Sequence, residues 1–240
     1  MSSFTVIVPT LNEEENIDRL LEQIFVVQKE KKLDLCVLFV DSDSADCTCE
    51  KIRRWEESHP VKLLCRDVNH GLACAVMEGA QHAETDFIVV MDADLSHPPK
   101  VIPQLIYPVL DGSYDMVVGS RYVKGGSMPD WPIRRKVSSK VATLPALMFC
   151  DIKDPLAGFF AVSRDLLTKL PGSIPGFKIG LAVLAENKGE IRVKEVPIEF
   201  KDRDQGESKM SNKVAVDYLR QLLQLTANKI SGRIKRVKRR

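Results

Sequence analysis

Asp92 and Asp94 stand two residues apart at the end of an apolar run, Phe87-Ile-Val-Val-Met-Asp-Ala-Asp-Leu-Ser-His-Pro-Pro99. In an extended chain, side chains at i and i+2 leave the same side, so the two carboxylates converge. Two hard oxygen ligands at the carboxyl end of a strand could hold a divalent cation, and the cation in turn a diphosphate. The competing reading is a turn in which the two aspartates cap the next helix. His97 lies beside them, but two prolines follow it, so it reads as structural.

A second group suits anions. Residues 116–119 read as a strand leading into Ser120-Arg-Tyr-Val-Lys-Gly-Gly126, a basic loop with a flexible end. A helical pattern over 134–149 opens on Arg134 and Arg135, with Ser139 one turn beyond the second. Guanidinium grips phosphate through two parallel N–H bonds, which lysine cannot do. Residues 141–149 suit an ordinary core helix and a lipid-facing one equally.

The elements that must position these groups are legible in order. Residues 4–8 form a short β run ending at Pro9, and Asn12 can cap the following helix, whose first turn holds three glutamates. Ile17, Leu20, Leu21, Ile24 and Val27 give it an apolar stripe. Residues 35–40 are a second strand and 61–64 a third, with a helix through Ile52 and Trp55 between them. Asn69-His70-Gly71 is a turn. Residues 72–83 form a small-residue helix able to lie close against a sheet, and 87–91 are apolar without alternation, as in a strand covered on both faces. Strands alternating with helices over the first ~120 residues indicate a mostly parallel sheet. Polar clusters at Asn12, Asp41 and Asp92 all fall at carboxyl ends of strands, where ligands bind in such sheets. Further on, 178–185 read as a helix, 191–200 as an amphipathic strand and 202–209 as a polar loop. Ser211 caps a helix with Val214, Tyr218, Leu222 and Leu225 on its apolar side.

Composition narrows the class. With 240 residues, 44% of them hydrophobic and 28% charged, the chain suits one large α/β domain or two closely joined halves. No apolar run approaches the ~20 residues of a membrane span, and no secretory signal is expected. No Gly-x-Gly-x-x-Gly or Walker-type loop is present. The six cysteines lack metal-type spacing and read as reduced, mostly buried thiols of a cytosolic protein. Lys229, Arg233, Lys235, Arg236, Lys238, Arg239 and Arg240 place seven cations and no acid in the last twelve residues; removing them from the formal +2 leaves −5 elsewhere. No aromatics interleave these cations, which argues against nucleic acid and leaves an anionic membrane face as the expected contact.

The chain resembles the family 2 glycosyltransferases of the GT-A fold, and within them the dolichyl-phosphate mannosyltransferase group. The stretches that carry the resemblance are Val8-Pro-Thr-Leu-Asn-Glu13, Val40-Asp-Ser-Asp-Ser-Ala-Asp46, Met91-Asp-Ala-Asp-Leu-Ser-His-Pro-Pro99, Gly119-Ser-Arg-Tyr-Val-Lys-Gly-Gly126, Asp154-Pro-Leu-Ala-Gly-Phe-Phe160 and Glu195-Val-Pro-Ile-Glu-Phe-Lys-Asp-Arg-Asp-Gln-Gly-Glu-Ser-Lys209. It implies an α/β GT-A nucleotide-sugar-binding fold without a transmembrane helix. Residues 1–210 would form a single catalytic domain (1–120 the nucleotide-sugar half, 121–210 the acceptor half), and 211–240 an amphipathic helix and basic tail. The implied reaction moves mannose from GDP-mannose to dolichyl (polyprenyl) phosphate with inversion and Mg²⁺ or Mn²⁺. That would make the lipid-linked sugar donor for glycosylation.

Position by position, the resemblance puts Pro9, Leu11, Glu13, Val40 and Ser42 around the nucleoside, and Asp92, Ala93, Asp94 and Ser96 at the metal and diphosphate. Arg121, Lys178, Arg203 and Lys209 surround the sugar and phosphates, while Arg121, Arg135 and Ser139 meet the acceptor phosphate. The implied location is the cytoplasmic face of a membrane, with a separate membrane-anchoring subunit as a further partner. Three departures stand out: Ser42 where the family has a second aspartate, Leu11 where it often has tyrosine, and Ala182 where it has a glutamate. The first two touch the nucleoside pocket, so a UDP-glucose-dependent polyprenyl-phosphate glucosyltransferase, or a family 2 transferase with a hydroxyl acceptor, is the alternative.

Overall fold

The computed structural model describes residues 3–67, 71–171, 178–202 and 212–237. Each early apolar run becomes a strand, and each amphipathic stretch after it becomes a helix that crosses back over the sheet. Thus β1 (Phe4–Thr10) leads through α1 (Glu14–Lys31) to β2 (Leu35–Asp41), and α2 (Thr48–Glu56) leads on to β3 (Val61–Cys65). The crossover α3 (Leu72–His82) then returns the chain to the far side of β1 as β4 (Phe87–Val90). A 3₁₀ turn, Pro99–Val101, runs into α4 (Ile102–Leu110), followed by β5 (Met116–Ser120) and α5 (Ile133–Ala146). Next come β6 (Phe160–Ser163), α6 (Arg164–Thr168), α7 (Ile179–Glu186), β7 (Val193–Pro197) and α8 (Asn212–Val237).

The sheet order is β3-β2-β1-β4-β6-β5-β7. Pairings β1–β2, β2–β3, β1–β4 and β5–β7 are parallel, whereas β6 runs antiparallel to both β4 and β5. The mostly parallel sheet expected from the sequence is therefore present, with β6 the exception. The chain turns one way from β1 to β2 and the other way to β4, so a crevice opens where those strands end.

Both sheet faces are covered. Ile17, Leu20, Leu21 and Ile24 of α1, with Ile102 and Leu105 of α4, pack on Val6, Val8, Phe39 and Val89. On the other face Val76 and Ala80 of α3 and Val183 of α7 pack on Ile7, Val40, Ile88 and Val90. A Cβ on Gly79 would lie 2.9 Å from Val40 Cγ2, so this small-residue helix does lie close against the sheet.

Several expectations change. Asn12 does not cap α1: it takes a left-handed backbone (φ 53°), and its side chain accepts the Ala45 N–H instead. β4 ends at Val90, so Asp92 and Asp94 lie beyond the strand, and the chain bends at 93–95, so a strand's pleat does not set their directions. Among the cysteines, all free, Cys150 alone is buried and Cys47 and Cys65 are exposed, because the runs holding them end at the sheet's rim. No helix among the described residues is long and apolar enough to cross a membrane. The 69–70 turn, the loop from 203 and the Ser211 cap lie outside the described residues.

The last helices depart most. In α8, Leu222 and Leu225 pack on Ala146, Phe149, Leu156 and Leu181, with Tyr218 alongside. Tyr218, Leu222 and Leu225 of the expected apolar stripe therefore cover the protein body, and the Val214 side chain lies outside the described ones. Val216, Leu219 and Leu223 form a second, exposed stripe. Helix α5 is turned inside out: Arg135, Ser139 and Thr143 face the body, while Ile133, Val137, Val141 and Leu144 face outward, at 78% exposure for Ile133.

Candidate active site

The rim where β1 and β2 end is built by hydrogen bonds rather than by packing. Thr10 Oγ1 donates to Asp41 Oδ2 at 2.9 Å, and Ser44 gives Asp41 both its N–H (2.9 Å) and its hydroxyl (2.6 Å). Asp41 is thereby a brace for the loop. Across it, Asn12 N–H donates to Ser44 Oγ, Glu13 N–H to Thr48 Oγ1 and Glu14 N–H to Asp46 Oδ2. These bonds fix Leu11 and Glu13, both half-buried, against the 42–48 loop. Pro9 lies opposite Val40 in the ladder. The Val40 side chain is wholly in the core against α3, so the structure does not bring it to the rim; only its backbone reaches that edge.

Ser42 is buried, and its Oγ accepts from Arg66 Nη1 at 3.1 Å, while Arg66 Nε pairs with Glu78 Oε2 at 2.8 Å. Sequence reasoning missed Arg66, which follows β3 with no motif to mark it. Its one signal is position, directly beyond a strand's carboxyl end. A buried cation braced by α3 now stands where the family's second aspartate would have placed a negative charge.

The carboxylate pair lies at the switch point. Asp94 is buried and its Oδ1 accepts both the N–H (3.1 Å) and the hydroxyl (2.6 Å) of Ser96. Leu95 between them has φ 61°, a left-handed conformation costing a leucine ~1–2 kcal/mol. The two Ser96 bonds and the His97 contact on the other side hold it there. Asp92 N–H donates to His97 Nδ1 at 2.9 Å, so the neutral imidazole carries its proton on Nε2, 3.9 Å from Asp92 Oδ2. Burial keeps His97 below its usual pKa despite Asp92 and Asp94 nearby. The ring stacks on Phe159 (5.1 Å) and meets Phe200 edge-on. The structural reading of His97 holds.

From His97 an aromatic wall continues to the two arginines, Arg121 and Arg135. Phe200 meets Trp131 edge-on at 5.5 Å, the Arg135 guanidinium covers the Trp131 ring at 4.0 Å, and Arg121 lies 5.8 Å from it. Arg121 is clamped: its backbone N–H and Nε donate to Asp154 Oδ2 (2.9 and 2.8 Å), and Nη2 to Oδ1 (2.7 Å). Burial alone would depress the guanidinium, but the Asp154 contacts outweigh it and hold the pKa above its usual value. Asp154 is set in turn by Glu195, which accepts the N–H groups of Lys153 and Asp154. Tyr122 donates its hydroxyl to Ser139 Oγ at 2.8 Å, which ties the loop to α5. Arg135 Nη1 reaches both oxygens of Asp202, at 2.9 and 2.8 Å, while Arg134 is exposed, so of the two candidates Arg135 faces the cleft. Burial, and then Arg121, push Lys178 down to about 8 against Asp92 and Asp154, so at neutral pH it stays a cation.

The structure therefore gathers Asp92, Asp94, Ser96, Arg121, Arg135, Ser139 and Lys178 along one wall. Arg203 and Lys209 lie outside the described residues. Trp131, Asp154, Asp202 and Arg66 are the contributors that sequence reasoning did not assign. For Asp154 a signal existed, since its stretch was recognisable; Trp131 and Asp202 act only through contacts that spacing does not encode.

The family model of glycosyl transferase family 2 matches residues 5–179. The dolichol-phosphate mannosyltransferase of Pyrococcus furiosus is 41% identical over 239 residues, which cover 97% of this chain and 66% of that protein. The chain thus spans about two thirds of that relative's length. The dolichol-phosphate mannosyltransferase of Saccharomyces cerevisiae is 36% identical, covering 92% of this chain and 86% of the yeast protein. In fold the chain is similar to glucosyl-3-phosphoglycerate synthase of Mycobacterium tuberculosis, solved with Mn²⁺, UDP and glucosyl-3-phosphoglycerate (TM-score 0.69, 20% identity, 95% of this chain and 79% of that one). With sheet, crevice and motifs agreeing, the chain belongs to glycosyl transferase family 2, in the group of the dolichol-phosphate mannosyltransferases.

Proposed function

We propose that the chain transfers mannose from GDP-mannose to dolichyl (polyprenyl) phosphate, with inversion at the anomeric carbon. The observation that carries this reading is the acceptor end: two arginines flank Trp131, and the adjacent carboxylates, Asp154 and Asp202, are each engaged by one of them. A hydroxyl acceptor needs a general base, whereas a lipid phosphate is already an anion and needs only placing by cations. The shared name of the relatives supports both mannose and the lipid phosphate.

The residues fit a divalent ion. Asp92 keeps a third of its side chain exposed, and neutral His97 sets no competing cation beside it. No cluster of three or more His, Cys, Asp or Glu metal ligands exists among the described residues, which suits an ion that leaves most of its shell to diphosphate and water. Mg²⁺ or Mn²⁺ on Asp92 and Asp94, with Ser96 beside them, would neutralise the leaving diphosphate. Asp154 fixes the Arg121 guanidinium before any substrate arrives, so little ordering is left for the bound state. Arg135 exchanges Asp202 for phosphate oxygens, and Ser139 completes the contact. The test is a donor screen with a polyprenyl phosphate acceptor. GDP-mannose should give the highest kcat/KM, and Arg135→Ala should raise the KM for lipid phosphate about tenfold or more while leaving that for donor little changed. Preference for UDP-glucose would replace the donor assignment, and a donor-only effect of Arg135→Ala would reverse the assignment of the two phosphates.

The inside-out α5 supports a membrane surface as partner. Its outward apolar row continues to Met148 at 66% exposure and is joined by Val216, Leu219 and Leu223 of α8, the last at 70%. Apolar rows with Arg134 and Lys140 beside them suit an interfacial helix on anionic lipid. The basic run 229–240 would add about 1 kcal/mol per cation near that surface. In flotation with anionic liposomes, replacing Val141 and Leu144 with glutamate should cut recovery about tenfold or more, since each such side chain contributes ~1.5–3 kcal/mol when fully buried. Truncation of 229–240 should weaken binding mainly at low salt. Equal recovery of all forms would remove the bilayer from this reading.

A further inference from the structure

We propose that the indole N–H of Trp131 donates a hydrogen bond to the acceptor's phosphate. This rests on the lipid-phosphate reading above. Trp131 is 8% exposed, and its Nε1 has no hydrogen-bond partner among the described residues. The chain's other tryptophan behaves normally: Trp55 Nε1 donates to Asp18 Oδ1 at 2.9 Å. A buried tryptophan usually finds an acceptor, and a buried donor without one calls for an explanation. Packing explains the ring well, since Arg135 covers one face at 4.0 Å and Phe200 meets it edge-on at 5.5 Å. Neither contact uses the N–H.

What the surroundings offer is positive charge. Arg121 and Arg135 both lie against this ring, and Ser139 is tied to the same loop through Tyr122. A phosphate monoester between the two guanidiniums brings three acceptor oxygens, more than one arginine fork can satisfy. Arg135 is held off by Asp202 in the unliganded protein, so phosphate that displaces Asp202 arrives beside the indole. A buried N–H with no acceptor among the described residues gains one when that anion binds, so the contact selects for the phosphate and discriminates against an acceptor lacking it.

The experiment compares wild type with Trp131→Phe, which keeps an aromatic ring for Arg135 and Phe200 but removes the N–H. The KM for a short-chain polyprenyl phosphate should rise about ten- to hundredfold, the range for a hydrogen bond to a charged group, with the KM for donor within about twofold. A Trp131→Phe enzyme whose acceptor KM is unchanged, or whose two constants rise together, overturns the proposal. Wild type that transfers no sugar to polyprenyl phosphate overturns the lipid-phosphate reading instead, and this inference with it. A second measurement leaves Trp131 in place. With Trp55→Phe, Trp131 is the sole tryptophan, and its emission should move to longer wavelength on titration with the lipid phosphate but not with GDP. No movement overturns the proposal even where Trp131→Phe fails to fold.

Discussion

Asp94→Asn is expected to lower kcat by about three orders of magnitude while leaving the fold intact. A metal-held diphosphate draws several kcal/mol of charge stabilisation from its ion, and each 1.36 kcal/mol is tenfold in rate. Asparagine keeps the shape and the Oδ1 acceptor, so both Ser96 bonds and the left-handed Leu95 can persist. What it removes is the charge, in a proposed ion site where, among the described residues, Asp92 would be the other carboxylate. Far-ultraviolet circular dichroism should be unchanged. The stabilisation that Mn²⁺ adds to the GDP-bound wild type in a thermal melt should disappear. Undiminished turnover would take the metal out of the mechanism.

Asp154→Ala is expected to be among the most destabilising single changes near the cleft, by about 3–5 kcal/mol. Arg121 is 9% and Asp154 0% exposed at the side chain, and the variant strands a guanidinium that has given two hydrogen bonds to one carboxylate, together with the backbone N–H that gave a third. For a chain of this size that is about a 10 °C fall in thermal midpoint. Calorimetry would measure it, and a fall below about 2 °C would show that the pair is not an anchor. Arg121→Met should cost a comparable amount, because it leaves the Asp154 carboxylate wholly buried with only that position's backbone N–H still donating to it.

These two residues also show what could be read in advance. Asp94 sits in a run whose neighbours, apolar before and proline after, mark the strand's end and the helix's start, so local rules placed it, though not the bend that sets its direction. The α1 stripe from Ile17 to Val27 was legible for the same reason, as helical periodicity is local. Asn12 failed as a cap because its side-chain oxygen accepts instead from a donor across the crevice, the Ala45 N–H, 33 residues away. Trp131, Arg66 and Asp202 stayed silent because their roles consist of contacts between distant segments. The α8 stripe was misread for a subtler reason: two apolar rows share that helix, and periodicity alone does not say which one the body takes.

On the proposed membrane surface, the inverted helix α5 would also act as a ruler. A helix with its side chains is about 10–12 Å across. With its apolar row seated at the top of the hydrocarbon, Arg135 and Ser139 on the opposite face would stand about that far above it. The headgroup layer of one leaflet is roughly 5–8 Å deep. A phosphate riding on a lipid tail would therefore reach those side chains by rising only slightly from its resting depth, with its first isoprene units drawn alongside the helix. Acceptors would be sorted by height as well as by charge: a phosphate on a short, soluble stem meets the same arginines without the tether that keeps returning it to that level.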